Sequence, residues 1–329
     1  MRVDIDQFLQ PKILIVSGKG GVGKTTVSAA LALVAARAGR RVCIAEVDRK
    51  GTLPKLFGGA ELTYEPREMA SGVYGMNIVP DEALAEYLDV QYHMKRISRV
   101  FASSHFVDYI TATAPGLKDI LVLGKIWYLE QGRTGGNFDT IIVDAPAAGH
   151  MLTFLSAPMG LSDAVRVGPV QRQAEWLVHM LQDPKRSRVH LVTLAEEMPI
   201  SETIETATAL EDHVRVDTGA IFANAVYPEH LTGADEEALD SVMADGKADE
   251  LCNAADPVGL KLDKDDLEAL VGYGRFIMAR RAIQMKHLRA LKKAVNDPVV
   301  ELPFLFTAGL ALPGVEQLAD SIEEGVAKL

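Results

Sequence analysis

Cysteine is nearly missing from this 329-residue chain, which has two, Cys43 and Cys252. They lie far apart and belong to no C-x-x-C pair, which argues against a disulfide framework or a four-ligand zinc site. A reducing cytoplasm fits that usage. Cys43 sits inside an apolar run and reads as a buried core thiol. No run approaches the roughly 18 apolar residues of a membrane span. Met1 to Lys12 carries Asp4 and Asp6 and no long apolar stretch, so it does not read as a signal peptide. Positive charge is in deficit, with 34 Lys and Arg against 45 Asp and Glu, net −11. An acidic chain is a poor general polyanion binder, so nucleic acid is not an expected partner. The expected location is cytoplasmic, with the membrane reached only through a partner. Internal repeats and low-complexity linkers are absent too.

What the chain does have is alternation. The apolar run Ile13 to Val16 is followed by glycines, then by an alanine-rich helical stretch from Lys24 to Ala38 that Gly39 should stop. Arg41 to Val47 is a second apolar run, completing β-loop-α-β at the spacing of a βαβ unit. Similar runs recur at Thr140 to Val143, Val189 to Leu194, Ala220 to Val226 and Val299 to Leu305. Continuous apolar strands separated by helical stretches demand cover on both faces. The predicted fold is α/β: a doubly wound, mostly parallel sheet of seven or eight strands, with helices on both faces and a helical insertion subdomain. One P-loop domain is expected over residues 1–329, with helical insertions at about 81–135, 149–183 and 232–294. The basic end of the last insertion (Arg280, Arg281, Lys286, Arg289, Lys292, Lys293) reads as a solvated helix face.

Gly18-Lys19-Gly20-Gly21-Val22-Gly23-Lys24-Thr25 matches G-x-x-x-x-G-K-[ST] between a strand and a helix. Glycines let backbone N–H groups converge on phosphate oxygens without a side-chain clash. The helix N-terminus adds unpaired donors. The predicted phosphate site therefore runs from Gly18 to Thr26, with Lys24 on the outer phosphates and the Thr25 hydroxyl on Mg²⁺. Asp144, ending the run Thr140 to Val143, is the natural second magnesium partner, acting through water. Asp48 ends the second strand on the same sheet edge, where it could orient or deprotonate water.

Lys19 makes the motif more specific. Lys-Gly-Gly-Val-Gly-Lys-Thr-Thr resembles the deviant P-loop of the MinD, ParA, NifH and ArsA groups. Asp144-Ala145-Pro146-Ala147-Ala148-Gly149-His150 resembles the switch II sequence of the ArsA and GET (guided entry of tail-anchored proteins) ATPases, and Met151 to Pro158 continues the likeness. The nearest likeness is to actinobacterial ArsA-like anion-transporting ATPases. The resemblance implies ATP/ADP and Mg²⁺ as cofactors. It implies that Lys19 reaches a partner's nucleotide and that Asp48 is the switch I aspartate. It also implies that Asn224 reads the adenine ring while Pro303 and Phe304 pack against the base. Asp48, Lys24 and Lys19 are then the catalytic set.

Departures from the family pattern are as informative. Switch I reads Asp48-Arg49-Lys50-Gly51 where the family has Asp-Pro-Ala-His. No C-x-x-C pair surrounds Cys252, so the zinc clamp of the GET ATPases is not expected. No cysteine cluster suits arsenite, and there is one P-loop where ArsA has two. The second half must come from a second ATPase subunit, in a homodimer or with a related subunit.

The expected function is Mg-dependent ATP hydrolysis by a nucleotide-gated dimer. That dimer would drive a partner or client, either a transporter or a membrane protein being targeted. Two alternatives stay open. One is a client-binding targeting factor that uses hydrolysis as a release timer, with a groove built on the Met-bearing helices at 149–183. The other is a nucleotide-sensing scaffold with negligible turnover. His150 either senses the nucleotide or simply packs.

Overall fold

Every residue of Ile13–Gly18, the first strand (β1), is buried. Side chains on a strand alternate between two faces, so a strand with no exposed position needs cover on both. Leu14 and Val16 turn to one face, joined by Ile44, Ile142 and Phe222. Ile13 and Ile15 turn to the other, with Cys43, Ile141 and Val143.

The computed structural model describes residues 4–47, 51–92, 116–165, 167–229, 234–235, 237–238, 248–255, 257 and 259–329. Around β1 the elements run α1 (Ile5–Phe8), α2 (Lys24–Arg37), β2 (Val42–Glu46), α3 (Leu53–Phe57), β3 (Arg67–Ala70), β4 (Val73–Asn77), α4 (Pro80–Tyr92) and α5 (Leu117–Glu130). They continue with β5 (Thr140–Ala147), α6 (Ala148–Ala164), α7 (Pro169–Gln182), β6 (Ser187–Leu194), α8 (Glu197–Ala209) and a π-helical turn at Leu210–Val214. The last are β7 (Thr218–Val226), α9 (Ala248–Ala255), α10 (Lys264–Ala294), β8 (Val299–Pro303) and α11 (Leu312–Val326).

The eight strands form one sheet in the order β3-β4-β2-β5-β1-β6-β7-β8. All neighbouring pairs are parallel except β3 with β4. From β1 the chain crosses to β2 on one side, and from β5 it crosses to β6 on the other. The winding therefore reverses at β1, the place where open α/β sheets bind ligands at their carboxyl edge.

One face is covered by α2 and α11, whose Val27, Leu31, Val34, Leu318 and Ile322 join the Leu14 layer. The other is covered by α5, α6, α7 and α8 through Ile126, Phe154, Met180 and Ile200. Within the first insertion, Lys125 of α5 is wholly buried. Its Nζ donates to Glu86 of α4 at 2.8 Å and to Thr134 Oγ1 at 3.2 Å, and it lies 4.4 Å from the Tyr64 ring centroid. Removing one member of such a buried pair costs roughly 3–5 kcal/mol, because the other charge is stranded.

The α/β expectation holds, and the described residues contain eight strands. Gly39 stops α2 as expected: its N–H bonds Ala36 O at 3.0 Å and Arg40 N–H bonds Ala35 O at 3.1 Å, a Schellman cap around a left-handed glycine. Three details differ from expectation. The β3–β4 hairpin did not stand out as an apolar run. Asp144 does not end its strand, since β5 runs on to Ala147 beside β1. Arg280 and Arg281 are half-buried and pair with Glu196 and Glu229, whereas Lys286, Arg289, Lys292 and Lys293 are exposed. The described parts of the three insertions are largely helical. Met94, Ile97, Phe101, Phe106 and Ile110 lie outside the described residues, as does most of 230–247. Among the described residues no helix is long and apolar enough to cross a membrane.

Candidate functional site

β1 hands the chain to the glycine loop at the winding reversal. Gly18 runs so close to β6 that a Cβ there would overlap the Val192 carbonyl. Gly23, with φ of 95°, opens α2, and a Cβ there would overlap the Asn224 amide. Both positions therefore need glycine, one for close approach and the other also for its left-handed backbone. Because the N-cap is a glycine, no side chain caps the first N–H groups of α2. Those donors and the positive end of the helix dipole face the loop.

Lys24 and Thr25 follow, both buried. Lys24 Nζ donates to the Lys19 carbonyl at 3.1 Å, so its charge lies across the loop. Thr25 Oγ1 donates to Asp144 Oδ2 at 2.6 Å, and Ser28 Oγ reaches Asp144 Oδ1 at 3.5 Å. Asp144 is 1% exposed and pairs in register with Val16 on one side and Glu46 on the other. Glu46 is a second buried carboxylate at this end of the sheet. Beyond Asp144, Pro146 O accepts from Ser17 Oγ at 2.7 Å, tying the end of β5 to the end of β1.

Hydroxyl and carboxylate oxygens are hard donors, the kind Mg²⁺ takes together with phosphate oxygens and water. Thr25 and Asp144 fit that ion. Among the described residues there is no group of three or more His, Cys, Asp or Glu placed to hold a metal. An ion shared with phosphates does not need one.

The remaining expected residues divide. Asn224, near the end of β7, is brought to the loop, its Nδ2 donating to Val22 O at 2.9 Å. Pro303 ends β8, and Phe304 N–H donates to Val226 O at 2.8 Å. The Phe304 ring stacks on Tyr227 with centroids 4.8 Å apart and planes 13° apart. Gly20, Gly21, Val22 and Thr26 complete the loop and the first turn of α2. Lys19 points away from the loop to an ion pair with Glu202 of α8, in its own chain. Asp48, with Arg49 and Lys50, lies outside the described residues. His150 is exposed in the first turn of α6; burial raises the Asp119 carboxyl of α5 above its usual range, with His150 opposing in part.

Sequence reasoning missed Ser28, Glu202, Tyr227 and Gln284. Ser28 carried a signal, standing three residues after Thr25 on the same helical face. Gln284 stood in a charged helical stretch, with nothing to mark it.

The chain matches the family model for anion-transporting ATPases over residues 11–177, from before the glycine loop into α7. It is 32% identical to the ATPase BagA of Mycobacterium tuberculosis over 96% of this chain and 94% of that one. It is 26% identical to the arsenical pump-driving ATPase of Escherichia coli over 72% of this chain and 45% of that one. A similar protein of the same description in Acidiphilium multivorum is 26% identical over 76% of this chain and 45% of its own. The matched residues contain the glycine loop, Thr25 and Asp144, the groups that the fold brings within hydrogen-bonding distance. This chain is thus an ATP-hydrolysing enzyme and belongs to the anion-transporting ATPase family, the family of ArsA.

Proposed function

We propose that the chain works as a Mg-dependent, nucleotide-gated ATPase dimer whose hydrolysis cycle changes the conformation of a partner. Residues 1–329 act as one P-loop ATPase domain in this reading. The observation that carries it is the Thr25–Asp144 contact of 2.6 Å at the foot of the glycine loop. A hydroxyl and a carboxylate side by side there are what a magnesium-bound triphosphate on the loop would need.

Backbone N–H groups of Gly18 to Gly23 and the start of α2 would hold the phosphates. Lys24 would move from the Lys19 carbonyl to the outer phosphate oxygens, where negative charge grows as the β–γ bond breaks. Thr25 and Asp144 would hold Mg²⁺, Asp144 through water; the bound ion supplies charge neutralisation between the phosphates. Asp48 would orient the attacking water or take its proton. Asn224, Pro303 and Phe304 would hold the adenine ring.

Lys19 would leave Glu202 and approach the nucleotide of a second subunit, either a copy of this chain or a relative. The pump-driving names of two relatives favour a transporter or membrane-protein partner. Their arsenical substrate does not carry over to this chain, because its cysteines do not suit it. Arsenic(III) is a soft electrophile held by clustered thiols, whereas this chain has two cysteines far apart in sequence, and burial pushes Cys43 up to about 12, which keeps it an unreactive thiol.

Turnover of ATP by Lys24→Ala and Asp48→Asn tests the mechanism. Each is expected to fall by about a hundredfold or more. Undiminished hydrolysis in both would overturn it.

One observation favours the client-binding reading: an apolar cavity of about 200 Å³ lined by Leu117, Trp127, Leu161 and Trp176 of α5, α6 and α7. Against it, Met151 and Met180, two of the methionines expected to line a groove, are buried in the core. An apolar peptide that binds in one nucleotide state and leaves in the other would support that reading. Equal binding in both states would remove it.

A further inference from the structure

Ala225 follows Asn224 in the left-handed backbone region, with φ of 55°. A side-chain-bearing residue is held there only when its surroundings enforce it. The register between β7 and β8 shifts at the same place, between Ala223 and Val226. One side chain bonds the backbone on both sides of this kink. Gln284 of α10 is 5% exposed and aimed at the strand end. Its Nε2 donates to Ala225 O at 3.0 Å, and its Oε1 accepts from Tyr227 N–H at 2.8 Å. Turning the amide over would set N–H against N–H and oxygen against oxygen, so both contacts fix one orientation. Arg281, three residues earlier on the same helix, donates to Tyr227 O.

We infer that Gln284 is a positioning residue for nucleotide-base recognition, setting the orientation of Asn224 and the Tyr227–Phe304 stack through the Ala225 kink. The inference rests on the base-reading role proposed for Asn224. Upstream of the kink, Asn224 commits an amide hydrogen to Val22 O. That fixes the orientation of the amide, leaving Oδ1 to accept from the exocyclic amine of adenine and the second Nδ2 hydrogen to donate to the base edge. Downstream, Val226 O receives Phe304 N–H, and Tyr227 stacks on that ring. The groups assigned to the base thus hang on three residues, 225 to 227, that Gln284 grips from both sides. A leucine there would fill the space and make neither bond. A glutamate would keep the acceptor for Tyr227 and lose the donor for Ala225.

The test is steady-state hydrolysis of ATP and GTP by full-length Gln284→Leu, Gln284→Glu and Asn224→Ala, with thermal melts alongside. For Gln284→Leu the KM for ATP should rise by about tenfold, as for loss of a buried polar contact. Its kcat should change less, and its preference for ATP over GTP should shrink. Gln284→Glu should fall between it and the parent. A folded Gln284→Leu with unchanged KM and ATP preference would overturn the inference if Asn224→Ala loses that preference. If Asn224→Ala keeps the preference, the base-reading role itself fails, and the inference with it. Should Gln284→Leu not fold, Gln284→Glu is judged by the same two readings.

Discussion

Thr25 and Ser28 stand one turn apart on α2, and both hydroxyls reach Asp144. The glycines of the loop and this pair are local features. A strand, five residues of loop and a helix start fix them, and the glycines and Thr25 were therefore readable in advance. Lys19 is different. Its partner in this chain, Glu202, lies 183 residues away, and no spacing rule points to it. Both side chains are about a third exposed, so the ion pair is worth about 0.2–1 kcal/mol. In the proposed dimer, that pair must open before Lys19 can reach a partner's nucleotide. Glu202→Gln should therefore lower the ATP concentration needed for dimer formation by about two- to fivefold. Sedimentation across an ATP titration would show it, and a midpoint equal to the parent's would exclude the pair as a brake. Asn224 and Phe304 were legible only through family likeness. Gln284 was not legible at all, since its work is done through backbone atoms of another element.

At the scale of elements, the buried strands were legible because each is an unbroken apolar run with cover on both faces. The β3–β4 hairpin was not, because β3 is an antiparallel edge with Arg67 and Glu68 exposed, a charged edge of the kind that resists further pairing. α11 reads as acidic along its length. Yet it buries Val315, Leu318, Ala319, Ile322 and Val326 at helical spacing, and Asp320 pairs with Arg37 of α2 at 2.7 Å. The acidic residues are its outer side. The π-helical turn after α8 ends on Arg215, which holds φ of 59° while its N–H bonds Leu210 O at 2.7 Å. Glycine takes that conformation without the Cβ penalty. Arg215→Gly should stabilise the protein by about 0.5–1 kcal/mol. Urea denaturation checks this; a midpoint that falls would show that the arginine side chain contributes more than its backbone costs.

For the molecule as a whole, the centre of the sheet sets a pH limit. His190 of β6 is fully buried between Phe8 and Phe222, with ring centroids 5.0 and 5.7 Å away. Burial holds its imidazole at about 4, down from 6.5, with the charge of Arg188 adding and the Ala220 carbonyl opposing. The unfolded chain takes up this proton below pH 6.5, while the folded chain refuses it until about pH 4. The stability that neutral His190 contributes is thus full above pH 6.5. It falls as pH drops to 4, by at most about 1.4 kcal/mol per unit. His190→Leu should flatten that decline, read from urea midpoints at about pH 7.5 and about pH 5. A variant that declines as steeply as the parent would place the acid sensitivity elsewhere.

The same scale holds the central claim, that the nucleotide site is completed by a second subunit. It is tested by mixing two variants. Lys24→Ala loses its own phosphate lysine, and Lys19→Ala cannot serve a partner. In a mixed dimer, one of the two sites would have Lys24 from its own chain and Lys19 from the other. Co-expression of the two variants should therefore restore hydrolysis to about a quarter of the parent rate, although each alone is inactive. If Lys19 acts only within its own chain, no mixed dimer contains an intact site, and a mixture as inactive as either variant alone would contradict the account.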